Sequence, residues 1–317
     1  MRYVFGPVPS RRLGRSLGVD PIPFKSCNWN CVYCQLGRST PMTGERRDHA
    51  PEEAILAQLE EALAGPGEDG VDWITFVGSG EPTLHVGLGR LIRAVKARTT
   101  RPVAVITNGS LLYLAEVREA LAPADAVLPS LDAGSPALYR EIDRALGALT
   151  FERLVEGLVA FRRGYAGALW VEVMLLAGVN DTPEALRDLA AVLARVAPDE
   201  VHLNLPVRPP AEPWVAPAGA EGIALAQATL GPVARVVTPA PVAFELGGGD
   251  DPGEAALGVI TRHPMREPEL IGALRRWPRG EVERALLALV DSGRAQVVEH
   301  GGERFWSGGG AVFGGGR

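Results

Sequence analysis

The stretch Val71-Asp72-Trp73-Ile74-Thr75-Phe76-Val77-Gly78-Ser79-Gly80-Glu81-Pro82-Thr83 changes character in the middle. Its first half, VDWITFV, is rich in β-branched and aromatic residues. Its second half, GSGEPT, is small, polar and closed by proline. A short apolar run bounded in this way reads as a strand running into a loop. Upstream, residues 51–64 place Ile55, Leu56, Leu59 and Leu63 on one helical face, and Gly65-Pro66 ends the helix. Downstream, residues 88–99 group Leu91, Ile92 and Val95 in the same way. The unit then repeats. Strands are expected at 103–107, 126–131, 169–176 and 201–205. Helices are expected at 114–121, 136–146, 151–163 and from the Thr182 cap and Pro183 to about 196. With residues 17–20 as a first strand, about six strand–helix units predict an α/β fold with a parallel sheet, a partial (β/α)6 TIM-like barrel.

Parallel α/β folds do their chemistry at the carboxyl ends of the strands. After the first strand comes Ser26-Cys27-Asn28-Trp29-Asn30-Cys31-Val32-Tyr33-Cys34, which holds every cysteine of the chain. Three thiolates in one loop suit an iron–sulfur cluster. Such clusters normally take four Cys, so one iron is left for another ligand. An open coordination position distinguishes a reactive metal site from a structural one. A Cys3His zinc knot using His49 or His85, or inert core thiols, are the competing readings. An odd cysteine count with short spacings fits a disulfide framework poorly. Arg11, Arg12 and Arg15 precede the loop, either as an anion-binding lip for a substrate or cofactor or as a solvated basic loop.

The spacing C-x3-C-x2-C, with Tyr33 before the last Cys, resembles the signature of the radical S-adenosylmethionine (SAM) superfamily. The resemblance implies that Cys27, Cys31 and Cys34 hold three irons of a [4Fe-4S] cluster and that SAM chelates the fourth. In that family an electron from the cluster splits SAM into methionine and a 5′-deoxyadenosyl radical, which takes a hydrogen atom from the substrate. Tyr33 would lie near the adenine. GSGEPT looks like the family's GGEP motif, with Ser79 in place of its second glycine. It implies that Gly80, Glu81 and Thr83 meet the SAM amino group, glycine being needed where a Cβ would block a ligand. ITNG and SLD are similar to the third- and fourth-strand motifs, so Thr107, Asn108 and Ser130 would face the SAM carboxylate and ribose. Glu172 either contacts SAM or substrate or points outward. The resemblance spans residues 17–205. It also implies a flavodoxin- or ferredoxin-type electron donor. The pattern GPVPSRRLGRSLGVDPIPFKSCNWNCVYCQLG is similar to bacterial and archaeal Fe–S oxidoreductases grouped loosely with wybutosine-type tRNA-modifying enzymes. An RNA base thus joins a peptide side chain and a small metabolite as candidate substrates.

A net charge of −6 argues against a broadly basic nucleic-acid surface. No signal peptide and no stretch of roughly 18 apolar residues stands out, so a soluble cytoplasmic protein with no membrane partner is expected. Residues 206–222 are rich in Pro and Ala and read as a wall, lid or linker, with Trp214 as a packing residue. Residues 233–238 read as a last strand. The expected organisation is a barrel at 1–246, a Gly-rich linker at 247–253, a winged helix–turn–helix at 254–307 and a disordered Gly-rich tail at 308–317. The winged helix rests on three helical stretches followed by a hairpin. The rival of a different class is a non-catalytic metal-binding regulator that uses the winged helix to bind nucleic acid or a protein partner.

Overall fold

The structure, a computed structural model, describes residues 2–64, 70–237, 244–246 and 251–314. It opens with a hairpin, β1 (Val4–Ser10) and β2 (Gly14–Val19). Only the second of these was legible in sequence. β1 carries Gly6-Pro7, which argues against a strand; but β1 lies at the sheet edge, where a missing N–H costs no ladder bond. The register slips at Gly6-Pro7, between Phe5 and Val8.

Strands and helices then alternate: α1 (Glu52–Ala64), β3 (Trp73–Phe76), α2 (Leu88–Lys96), β4 (Val103–Thr107), α3 (Ala115–Leu121) and β5 (Ala126–Pro129). They continue through α4 (Pro136–Ile142), α5 (Phe151–Gly164), β6 (Ala168–Met174), α6 (Pro183–Val196), β7 (Glu200–Asn204), α7 (Ala220–Leu230) and a short β8 (Ala234–Val236). Residue 238 of the expected last strand and Gly65-Pro66 lie outside the described residues. The helix starts follow their caps. Ser135, Thr150 and Thr182 each accept a backbone N–H of the first turn of α4, α5 and α6.

One eight-stranded sheet results, in the order β1 to β8. It is parallel from β2 onward and antiparallel only at β1–β2, a TIM-like arrangement. Residues alternate between its faces. Val103 and Val105 join the core under the helices. Ala104 and Ile106 turn the other way, into a cluster with Trp73, Ala126, Leu128 and Trp170. Leu13, from the hairpin turn, fills that inner cluster and is buried.

The C-terminal unit runs α8 (Pro252–Ile260), β9 (Met265–Arg266), α9 (Glu267–Ala273), α10 (Arg279–Asp291), β10 (Ala295–His300) and β11 (Glu303–Gly308), with β10–β11–β9 as an antiparallel sheet. The linker expected at 247–253 is shorter than that. Asp251 caps α8 by accepting from Glu254 N, and Pro252 occupies its first turn; residues 247–250 lie outside the described residues.

The tail expected to be disordered from 308 is ordered through Gly314. Gly308 belongs to β11, and Val312 bridges to Gly37 beside the cysteine loop. Arg38 N donates to Val312 O at 2.7 Å and Gly314 N to Ala211 O at 2.5 Å. Gly37 has φ 75°, and a Cβ there would run into the Val312 backbone. The glycine at 37 therefore serves close backbone contact. Residues 315–317 lie outside the described residues.

The Pro-rich segment forms a wall. Glu212 N donates to Val32 O, and the Glu212 carboxylate pairs with Arg38 and Arg144. Trp214 is 46% exposed, so it is not the packing residue expected. No helix among the described residues is long and apolar enough to cross a membrane.

Candidate active site at the cysteine loop

The cysteine loop leaves the carboxyl end of β2 and is fastened on every side. Asn30 N and Val32 N donate to Asp143 O and Ile142 O at the end of α4. Thr43 N donates to Cys27 O. The GSGEPT loop locks on through Lys25 N to Ser79 O (2.6 Å) and Glu81 N to Ser26 O (3.0 Å). A Cβ at Gly80 would strike the Ser26 carbonyl, so that glycine is required by the cysteine loop's own backbone.

Ser79, the departure from the GGEP pattern, has a use of its own. Its hydroxyl donates to Asp20 Oδ2 at 2.7 Å, and Arg262 Nε donates to the same oxygen at 2.6 Å. Asp20 and Arg262 are both buried, so this ion pair ties the end of β2, the GSGEPT loop and the C-terminal unit into one network.

The carboxylate of Glu81 is buried and accepts four hydrogen bonds. Thr83 N (3.0 Å), Thr83 Oγ1 (2.6 Å) and Thr107 Oγ1 (2.5 Å) donate to Oε1, and Asn108 N (2.7 Å) donates to Oε2. Burial pushes this carboxyl up, and the four donors pull against it. Asn108 Nδ2 donates to Asn28 Oδ1 at 2.7 Å and approaches Cys27 Sγ at 3.9 Å. Four of the residues singled out in sequence thus meet, largely by bonding one another. Ser130 is partly exposed, and its hydroxyl has no hydrogen bond among the described residues.

Tyr33 donates to Asp132 Oδ2 at 2.5 Å, and Met174 N donates to Asp132 Oδ1 at 2.6 Å. Asp143 lies beside this pair, fully buried, with neither oxygen hydrogen-bonded among the described residues. Burial and then the Asp132 charge push Asp143 well above the carboxylate range; burial also raises Asp132. The folded pair therefore keeps a proton that the unfolded chain releases near pH 4. Where the folded state binds more protons, stability falls as pH rises. In metal-free protein, Asp143→Asn should be at least as stable as the parent at neutral pH and should flatten the decline of melting temperature between roughly pH 4.5 and 8. Parallel pH curves for the two would refute the retained proton.

Of the three arginines, only two lie near this end. Arg15 pairs with Asp72 just before β3, at the amino ends of the strands, and is no part of a lip over the cysteines. Arg12 turns inward and pairs with Glu172, also donating to Asn204 Oδ1 at 3.1 Å. Glu172 therefore faces the barrel interior, with its charge met by Arg12. Arg11 has no hydrogen bond or ion pair among the described residues.

Lys25 Nζ reaches Cys34 Sγ at 3.3 Å, and Trp29 N reaches Cys27 Sγ at 3.5 Å. Such donors favour a thiolate, but burial pushes the Cys27 thiol up to about 12 and raises Cys31 as well. A bound cation would supply the stabilisation that the thiolate forms lack. No three Cys, His, Asp or Glu side chains among the described residues converge on one ion. His49 and His85 instead border a surface hollow of about 380 Å³ with Asp48 and Glu52. Three thiols clustered on one loop are a donor set that fits an iron–sulfur cluster.

Comparison with known proteins agrees. The family model described as Radical SAM superfamily matches residues 22–190. UPF0026 protein MJ1312 of Methanocaldococcus jannaschii is 34% identical over 310 residues, 96% of each chain. A Brachyspira hyodysenteriae protein named GTPase Obg is 46% identical over 202 residues, 64% of this chain; the match spans only 29% of that relative's length. A radical SAM methyltransferase from Sphaerobacter thermophilus shares the fold, with a TM-score of 0.53 at 20% identity over 70% of this chain and 65% of its own.

Proposed function

This chain belongs to the radical SAM superfamily, whose members are enzymes that use a [4Fe-4S] cluster and SAM, and on that premise we propose that Cys27, Cys31 and Cys34 hold the cluster and that the barrel mouth binds SAM against a substrate. The observation that carries the reading is the cysteine loop itself, bonded through Ser26 and Lys25 to the GSGEPT backbone and carrying three thiols within eight residues. When bound, the cluster supplies a low-potential electron and SAM supplies a carbon-centred oxidant for hydrogen abstraction.

The chain's own residues do the positioning. Gly80 and Glu81 present backbone at the cysteine loop, and the Ser130 hydroxyl is free for the SAM carboxylate or ribose. Tyr33 is proposed to border the adenine, its hydroxyl fixed by Asp132. Glu81, Thr83, Thr107 and Asn108 hold the two loops in register from beneath. Glu172 and Arg12 line the interior under the mouth. Holding a target atom beside the reactive carbon while excluding water is the contribution a barrel can make.

The C-terminal order helix–strand–helix–helix–hairpin supports a winged helix–turn–helix. On α10, Arg279 is taken up by Glu283 and Leu287 is 61% exposed, which leaves Arg284 as the exposed cation of this helix outside an ion pair among the described residues. The electron donor is proposed to be of flavodoxin or ferredoxin type, and the compartment a reducing one such as the cytoplasm. The relative named GTPase Obg does not extend its name here: the chain's lysines are Lys25 and Lys96, and neither follows the glycine of a phosphate-binding loop. The test is an anaerobic assay of cluster-loaded protein with SAM and a strong reductant. Formation of 5′-deoxyadenosine is expected; a loaded cluster that never cleaves SAM would defeat the proposal.

A further inference from the structure

Between the barrel and the C-terminal unit lies a cluster of cations in which Arg11 and Arg208 form no ion pair among the described residues, the nearby Glu172 and Glu269 being paired with Arg12 and Arg266. Arg208, in the loop after β7, is drawn into the seam. Its Nε donates to Pro264 O at 2.9 Å, Nη1 to Gln35 Oε1 at 3.1 Å, and Nη2 meets His263 Nε2 at 2.6 Å. All three partners are neutral, since burial and the Arg208 charge hold His263 well below its usual range. A guanidinium has five N–H donors, and these contacts use three. No carboxylate among the described residues pairs with Arg208.

Arg11, in the turn between β1 and β2, lies within electrostatic reach of Arg208, Arg12 and Arg266 and of the carboxylates of Glu172 and Glu269, and none of its nitrogens is bonded among the described residues. The neighbouring charges are already balanced: Arg12 by Glu172, Arg266 by Glu303 and Glu269. Two guanidiniums thus repel each other in a half-buried seam. A buried charge left uncompensated is costly. An anion bound between them would remove both the repulsion and the unmet donors.

We propose that the seam lined by Arg11, Arg208, His263 and Gln35 binds a phosphate group of the substrate. Gln35 follows Cys34 directly, so an anchored phosphate would hold the rest of the molecule toward the cysteine loop. Phosphate suits two planar guanidinium forks and neutral donors, because it offers several acceptor oxygens at once. The seam takes a terminal phosphate in preference to the internal phosphodiesters of RNA, because Arg208 is sunk between protein groups. The proposal rests on the reading of the mouth as the reaction site, yet it is tested apart from it.

The experiment is calorimetric titration of cluster-loaded, SAM-saturated protein with inorganic pyrophosphate. Binding is expected, with at least about tenfold weaker affinity in Arg11→Gln and in Arg208→Met. The exposed control Arg163→Gln should bind as the parent does. Melting temperatures taken in parallel separate lost binding from lost folding, and Arg11→Gln breaks no hydrogen bond of its own. Saturation with SAM should leave pyrophosphate affinity unchanged. Competition between the two would place the SAM carboxylate in the seam and overturn the proposal. So would the absence of pyrophosphate binding, affinity equal to the parent's in both arginine variants, or tight binding only of an oligoribonucleotide without terminal phosphates. SAM cleavage without substrate is read separately, so either idea can fail alone.

Discussion

Replacing any one of Cys27, Cys31 and Cys34 with serine should abolish cluster loading and SAM cleavage together. Iron bound after anaerobic reconstitution is expected to fall from about four per chain to near zero, with loss of the charge-transfer absorbance. On the proposed reading each thiolate serves its own iron, so two would not substitute for three. The fold should survive. The metal-free loop is held by backbone bonds to Asp143, Ile142, Ser79 and Glu81, and these do not involve sulfur. Metal-free parent and variants should therefore melt within a few degrees of each other, as expected where no core contact or network is broken. A single variant that retains both iron and 5′-deoxyadenosine formation would remove that cysteine from the site.

Glu81→Ala should cost stability first and SAM binding second. The carboxylate is the shared acceptor for Thr83 N, Thr83 Oγ1, Thr107 Oγ1 and Asn108 N. Alanine leaves the two backbone N–H groups without that acceptor in a buried site, while the hydroxyls can rotate elsewhere. Each stranded donor costs about 1–3 kcal/mol, so a loss of roughly 3–5 kcal/mol is expected. Glu81→Gln keeps the shape but turns an NH2 toward donors, and should cost about 1–3 kcal/mol. Urea denaturation of the metal-free variants measures both. Asn108 also touches Asn28 and Cys27, so cluster loading should weaken along with the fold. Unchanged stability with only a raised KM for SAM would show that Glu81 serves the ligand directly.

The barrel was legible because its parallel strands are buried on both faces and read as short apolar runs such as VDWITFV and VAVI, each broken by a polar loop. The cysteine loop was legible because three thiols stand within eight residues. Other features depend on partners distant in sequence. Asp20 meets Ser79 across 59 positions and Arg262 across 242, and no local pattern marks such a pairing. Asp143 falls within a stretch read only as helix, and nothing local marks its burial beside Asp132 and Cys31. Glycine misled in both directions. Gly6-Pro7 concealed an edge strand, and the tail's composition concealed a clasp on Gly37.

The first strand belongs to two interiors at once. Val4 packs into the barrel core, whereas Phe5 and Val8 pack with Leu246, Ile260, Leu274 and Trp306 of the C-terminal unit. Neither half can be excised without leaving the other a raw apolar seam. Heat should therefore dissolve both in one cooperative event, and damage to the appendage would be felt at the iron.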